Sequence, residues 1–114
     1  MKKEDILLEL SKHTDTVLSF PNRGPWGDSR YRGNCSGWIP AYFINKYNAG
    51  SVAEVFAGSG TTYDVCKDMG VRYVGIDLNP NPPRDGIVSM DILDDTVELP
   101  DGFYDADMIF LHPP

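Results

Sequence analysis

The sequence predicts an α/β fold, a mostly parallel sheet of about four strands flanked by helices. Three observations carry this expectation. Two short runs, Val52–Phe56 and Arg72–Ile76, bracket a helical stretch at 61–69. Strand, helix and strand in that order make a right-handed parallel crossover. A glycine turn, Ala57-Gly58-Ser59-Gly60, joins the first run to the helix. Two further runs, Ile87–Met90 and Asp107–Leu111, supply a third and a fourth strand.

Each element has a local cause. Residues 4–12 read as a short amphipathic helix with Ile6, Leu7 and Leu10 on one face. Residues 21–37 hold four glycines and two prolines, which argues for an irregular loop. Trp26, Tyr31 and Trp38 in and beside it are aromatics that pack or bind. Residues 39–48 read as a helix with Pro40 in its first turn, where proline is tolerated. Gly70 closes the helix at 61–69. Pro80, Pro82 and Pro83 make 78–86 a loop, and 92–105 is acidic and turn-rich. The strand at 107–111 reads as buried and runs straight into His112-Pro113-Pro114. The expected organisation is one domain over 1–114, with a helix, loop and helix in 1–50 and the strand–helix–strand half in 51–114.

Composition narrows the classes. The chain has 114 residues and a mass of 12.7 kDa, with 41% hydrophobic and 24% charged residues. That is ordinary globular composition. No apolar run approaches the ~20 residues of a membrane span. The segment Met1-Lys2-Lys3-Glu4-Asp5 begins no signal peptide, so a cytoplasmic location is expected. Cys35 and Cys66 stand far apart with no C-x-x-C, which fits reduced thiols. The net charge of −7 is uneven, +2 over residues 1–50 and −9 over 51–114. The second half cannot supply the basic surface that phosphate contacts require. Nucleic-acid contacts are therefore expected from Arg23, Arg30, Arg32 or Lys46, or from parts outside this chain.

Four motifs carry chemistry. Phe56-Ala57-Gly58-Ser59-Gly60-Thr61-Thr62 sits between strand and helix, where glycine lets backbone approach a ligand. No G-K-[ST] follows, so it is not a P-loop. Tyr63 stands where a dinucleotide fingerprint needs its third glycine. Asp77 ends the second strand, 17 residues after Gly60, and a carboxylate there can accept both hydroxyls of a ribose. It can equally be an Asx-turn residue. Asp91 follows the third strand and can accept an exocyclic amine. His112-Pro113-Pro114 ends the fourth strand, where two stiff prolines fix backbone carbonyls or simply stop the ladder.

Taken together these residues resemble the amino-group DNA methyltransferases, which methylate adenine N6 or cytosine N4 with S-adenosylmethionine. Phe56 to Thr62 resembles the family's F-x-G-S-G-T-T cofactor loop. Val74-Gly75-Ile76-Asp77 resembles its second-strand acid, and Asp91 the acid after its third strand. His112-Pro113-Pro114 resembles the start of the [DNS]-P-P-[YFW] catalytic motif. The segment from Gly33 through Tyr47 is similar to the one that closes over the methionine end of the cofactor. Three departures stand out. Glu54-Val55 replaces the family's Asp-Pro, His112 replaces Asp, Asn or Ser, and the aromatic fourth motif residue would be residue 115.

The resemblance implies a partial Rossmann-like methyltransferase sheet, the cofactor-binding half cut inside its catalytic motif. It implies an enzyme of DNA methylation in restriction-modification, adenine N6 ahead of cytosine N4, inactive on DNA as this chain alone. S-adenosylmethionine and DNA are the implied partners. Phe56 to Thr62, Asp77, Leu78, Asp91 and Ile92 would hold the cofactor, with His112, Pro113 and Pro114 catalytic. The loop that contains Trp26 either lids the methionine end, with Asn34 and Ser36 as polar contacts, or covers the sheet edge with its aromatics. A neutral His112 is required, because a protonated ring has no acceptor nitrogen. Two alternatives stand beside this: an RNA or small-molecule methyltransferase, and a truncated remnant that binds cofactor or a partner. In the second case an exposed strand edge invites a homodimer.

Overall fold

The structure, a computed structural model, describes residues 1–13, 20, 22–31 and 35–113. The chain order is α1 (Lys3–Leu10), α2 (Trp38–Lys46), β1 (Ser51–Val55), α3 (Thr61–Met69), β2 (Arg72–Asp77), β3 (Ile87–Ser89) and β4 (Met108–Leu111). The sheet has the order β3-β2-β1-β4, and every neighbouring pair is parallel. The expected α/β class and four-strand parallel sheet are what the structure shows.

Alternation along the strands assigns the two faces. Val52 on β1 and Tyr73 on β2 point to the helix side, as do Met108 and Phe110 on β4. There they meet Ile6, Leu10, Trp38, Ile44, Val65 and Met69 from the three helices. Ala53, Val55, Val74 and Ile76 point to the other face, where Phe103, Leu99 and Ala106 cover them. A period of two residues puts neighbours on opposite faces, so one strand feeds both cores.

The helices are short and depend on this packing. In α1 the buried residues are Ile6 and Leu10, whereas Leu7 is on the exposed shoulder of the expected apolar face. Helix α1 ends at Leu10, two residues before the expected stop. Helix α2 starts at Trp38 and buries Trp38, Pro40, Ala41 and Ile44. Helix α3 spans the expected residues and ends at Gly70 in the left-handed conformation, with Val71 N–H donating back to the Cys66 carbonyl at 2.8 Å.

Two sequence expectations need correction. The strand at 107–111 was expected to be buried, but β4 alternates between covered and open residues. Among the described residues it is the edge strand on its side of the sheet. Ile109 and Leu111 are 55% and 61% exposed. The expectation that the loop only lids a ligand or covers the sheet edge leaves out the place of Trp26 between the helices. Trp26 is buried on the helix side, edge-on to Trp38 with ring centroids 5.0 Å apart, and its Nε1 donates to Asp68 Oδ2 on α3 at 2.8 Å. An indole that donates its N–H while burying its rings belongs to the core.

Candidate functional site

Parallel strands deliver their carboxyl ends to one edge of the sheet. Val55 pairs with both Ile76 and Leu111, and Asp77 pairs with Ser89. One residue further on stand Phe56, Asp77, Met90 and His112, all at that edge. The chain leaves β1 toward β2 on one side, while β4 lies on the other side. In open α/β sheets, ligands bind at such a reversal.

The turn after β1 is tightly specified. Phe56 has φ of 67°, a left-handed conformation uncommon for an aromatic residue. Gly58 and Gly60 follow at φ of 57° and 88°, where a side chain would be strained. Ala57 N–H donates to the Ile76 carbonyl at 3.0 Å, and Gly60 N–H to the Ala57 carbonyl at 3.1 Å. Gly58 N–H donates to Asp77 Oδ1 at 3.2 Å. Ser59 Oγ accepts the Asp28 N–H at 3.2 Å and lies 3.4 Å from Thr61 Oγ1. The turn is thus held by β2 on one side and by the 22–31 segment on the other. Tyr31 packs beside Gly58, and a Cβ there would come within 3.3 Å of its ring.

Asp77 is an Asx-turn residue that also ties the glycine turn to β2. One oxygen takes the turn's Gly58 N–H, and Oδ2 accepts the Asn79 N–H at 3.1 Å in an Asx turn. Beside it opens a cleft of about 160 Å³ lined by Val55, Phe56, Ile76, Asp77, Leu78 and Met90, and by Asp91, Ile92 and Leu93. The lining is almost wholly apolar. Leu78 and Ile92 are exposed at its rim. Asp91 is exposed there too, and its Oδ1 accepts the Leu93 N–H at 2.9 Å. The structure therefore brings Phe56, Asp77, Leu78, Asp91 and Ile92 around one cleft.

Beneath the turn lies a buried acid. Glu54 is 4% exposed in the middle of β1. Its Oε2 accepts the Thr62 hydroxyl and its Oε1 the Tyr73 hydroxyl, each at 2.7 Å. Burial raises its pKa to about 7, against the opposing pull of those two hydrogen bonds, and the nearby Asp77 raises it further. Gly75 pairs with Glu54 across the sheet, and its missing side chain leaves the space that Tyr73 Oη fills on its way to the acid. Thr62 thus faces the core and not the edge.

Other predicted residues lie apart. The Ser36 hydroxyl donates to the Arg23 carbonyl at 3.3 Å and accepts the Trp38 N–H at 3.2 Å, so it works within its own loop. His112 and Pro113 are exposed at the end of β4. Arg32, Gly33, Asn34 and Pro114 lie outside the described residues. Of the expected nucleic-acid contacts, Arg30 is exposed and paired with Asp28, and Lys46 sits over the rings of Tyr42 and Tyr47. Arg23 is half-buried, with its Nη2 enclosed.

Sequence reasoning passed over Asp64, Tyr73 and Arg84, and treated Glu54 only as a departure. A charged residue between Ala53 and Val55 in an otherwise apolar strand is the one signal that marks Glu54. Among the described residues no group of His, Cys, Asp or Glu is placed to hold a metal ion. Both cysteines are free thiols, with burial pushing that of Cys66 up to about 12. No helix among the described residues is long and apolar enough to cross a membrane.

A stretch of 52 residues, 44% of the chain, is 36% identical to the type II methyltransferase M.MjaII of Methanocaldococcus jannaschii. The match spans about a tenth of that protein's length, 10%. It supports a methyltransferase likeness for that stretch. No family model and no solved structure matches the chain.

Proposed function

We propose that this chain binds S-adenosylmethionine at the carboxyl edge of its sheet. It forms the cofactor half of a methyltransferase that modifies an exocyclic amine of DNA, adenine N6 ahead of cytosine N4. The observation that carries this is the Gly58–Asp77 hydrogen bond beside an apolar cleft at the point where strand order reverses. The residues fit the group. An apolar cleft whose lining also includes the carboxylates of Asp77 and Asp91 suits an adenosine, which Phe56, Met90 and Ile92 would help to enclose. The partial likeness to a type II methyltransferase adds to this.

When bound, the cofactor supplies a methyl group on an electrophilic sulfonium. The chain's own residues do the rest. Asp77 accepts from the ribose hydroxyls, since an ionised carboxylate offers about four lone-pair sites and backbone N–H groups use two. Asp91 accepts the adenine's exocyclic amine. The charge of −9 over 51–114 suits a cationic ligand. His112 leaves β4 one residue past the Val55–Leu111 pair, at the same edge as Phe56. Its neutral ring nitrogen and the Pro113 carbonyl accept hydrogens of the target amine, turning the nitrogen lone pair toward the methyl. The target base must leave its stack to arrive there.

Calorimetric titration with S-adenosylmethionine tests the reading, with NAD as decoy and Asp77→Ala as control. The expected result is saturable binding of S-adenosylmethionine alone, lost or strongly weakened in Asp77→Ala. A folded chain that binds neither ligand, or binds NAD equally well, overturns it.

A further inference from the structure

Glu54 is a buried acid to which the chemistry above gives no part. It stands in the middle of β1, 4% exposed, with Gly75 beside it on β2 and Phe110 beside it on β4. Its two oxygens accept the Thr62 and Tyr73 hydroxyls, one on α3 and one on β2, each at 2.7 Å. Two anchors on two elements fix the carboxyl in place. Among the described residues no cation is paired with it. A buried carboxylate without a cation is unfavourable, so its ionisation responds to a positive charge brought near it.

The acid and the cleft lie on opposite faces of the same two strands. Val55 and Phe56, the next residues of β1, line the cleft. On β2, Gly75 is followed by Ile76 and Asp77, which line it too. Glu54 faces the helix side with Tyr73, so it acts on a ligand in the cleft through the interior and not by contact. A field does cross that interior, since Asp77 at the cleft disfavours the ionisation of Glu54. Buried paths of this kind are screened far less than surface ones. The other titratable groups that act on Glu54 are Cys35, Cys66 on α3 and Tyr73 on β2. Burial pushes all three up, so they stay neutral near pH 7. Glu54, titrating at about 7, is the group of this cluster that changes charge there.

We propose that Glu54 is a specificity residue: once ionised, it favours a sulfonium-bearing ligand at the glycine turn over the neutral thioether left when the methyl has gone. This rests on the cofactor reading above. The two ligands differ by one methyl group and one positive charge. When the sulfonium binds, the Glu54 carboxyl gives its proton to the buffer. When the thioether binds, it keeps that proton. The site thus holds the charged methyl donor and lets go of the spent product more readily as Glu54 ionises.

The test measures the affinities of S-adenosylmethionine and S-adenosylhomocysteine at pH 5.5 and 7.5, in the wild type and in Glu54→Gln. The wild-type preference for the sulfonium is expected to rise about fivefold between the two pH values, given the attraction of two charges ~10 Å apart in a protein interior. Glu54→Gln keeps the shape and can still meet both hydroxyls, and its preference is expected to be the same at both pH values. His112, at the same edge, is intact in that variant, so a pH dependence arising there would survive. Binding of S-adenosylhomocysteine by the variant also shows that it is folded. Calorimetry at pH 7 in two buffers of different ionisation enthalpy counts protons. S-adenosylmethionine is expected to release about 0.4 of a proton more from the wild type than from Glu54→Gln. A merely structural Glu54 would shift both affinities together and move no proton. A wild-type preference that ignores pH, or one that changes equally in Glu54→Gln, overturns the proposal and leaves the cofactor reading standing. Equal proton release with the two ligands in the wild type, a comparison that needs no variant, overturns it as well. A wild type that binds neither ligand overturns the cofactor reading and this inference with it.

Discussion

Arg84 forks onto Asp64, its Nε 2.8 Å from Oδ1 and its Nη2 2.9 Å from Oδ2. Asp64 stands in the first turn of α3, and Arg84 in the loop between β2 and β3. The same Asp64 Oδ2 accepts the Gly27 N–H at 2.9 Å. One carboxylate therefore ties α3 to both loops that flank the glycine turn. The Arg84 stem also lies against Gly60, where a Cβ would meet its Cγ at 2.6 Å.

Arg84→Ala is expected to lower stability by about 1 kcal/mol, because the pair is bidentate but only partly buried. Asp64→Asn is expected to cost more, since it weakens the hold on Gly27 as well. Burial works to raise the Asp64 pKa, but the Arg84 and Gly27 hydrogen bonds outweigh it and leave the carboxyl below its ordinary 3.8. A depressed acid contributes stability above 3.8 that is lost as pH falls further. Urea unfolding at pH 7 and pH 3 checks this: the advantage of the wild type over Arg84→Ala is smaller at the lower pH.

Glu54 has the opposite sign. Its pKa rises from an ordinary 4.5 to about 7 in the folded chain. Stability is therefore full below 4.5 and is lost as pH rises toward about 7, by roughly 3 kcal/mol. Glu54→Gln removes the titration. Unfolding free energies measured between pH 5 and 8 should fall with pH in the wild type and stay flat in the variant. Parallel slopes would show that Glu54 does not titrate in this window.

Gly75→Ala drives a methyl into Tyr73 Oη. The phenol must move off Glu54, leaving a buried acid with one hydroxyl fewer. A loss of about 1 to 3 kcal/mol is expected in thermal or urea unfolding. Gly75→Ala combined with Tyr73→Phe should cost less than the sum of the single changes, because both act on one contact.

The two faces of β4 make a sharp contrast. Phe110 packs against the helix-side core, whereas Ile109 and Leu111 are more than half exposed. Ile109→Thr and Leu111→Thr are each expected to change stability by no more than about 0.5 kcal/mol. Phe110→Ala should cost about 2 kcal/mol or more. Equal costs at the three positions would mean that the second face is covered after all.

Part of the site is legible in the sequence because its signals are local. The glycine turn shows itself as small residues between a strand and a helix, and Asp77 by ending a strand. Glu54 is legible only as an oddity, since a lone acid in an apolar strand does not name the hydroxyls that will meet it. Asp64 and Arg84 are 20 residues apart, and their fork exists only because the proline loop folds back over α3. Arg23 reads as a surface cation in the sequence, since nothing local shows that its Nη2 will be enclosed.

The sequence by itself determined the α/β class, the order of elements and the turn chemistry at Gly58, Gly60 and Gly70. Periodicity, chain reversal and left-handed backbone are properties of a few adjacent residues. Only the tertiary structure decided that β4 lies beside β1, which brings His112 to the same edge as Phe56 and Asp77. It also decided that one face of β4 stays open, that Trp26 belongs to the core, and that Glu54 is buried against Tyr73. Those outcomes depend on strand register and on which faces find cover. Both are settled by the free energy of burying distant surfaces together, which no local pattern records.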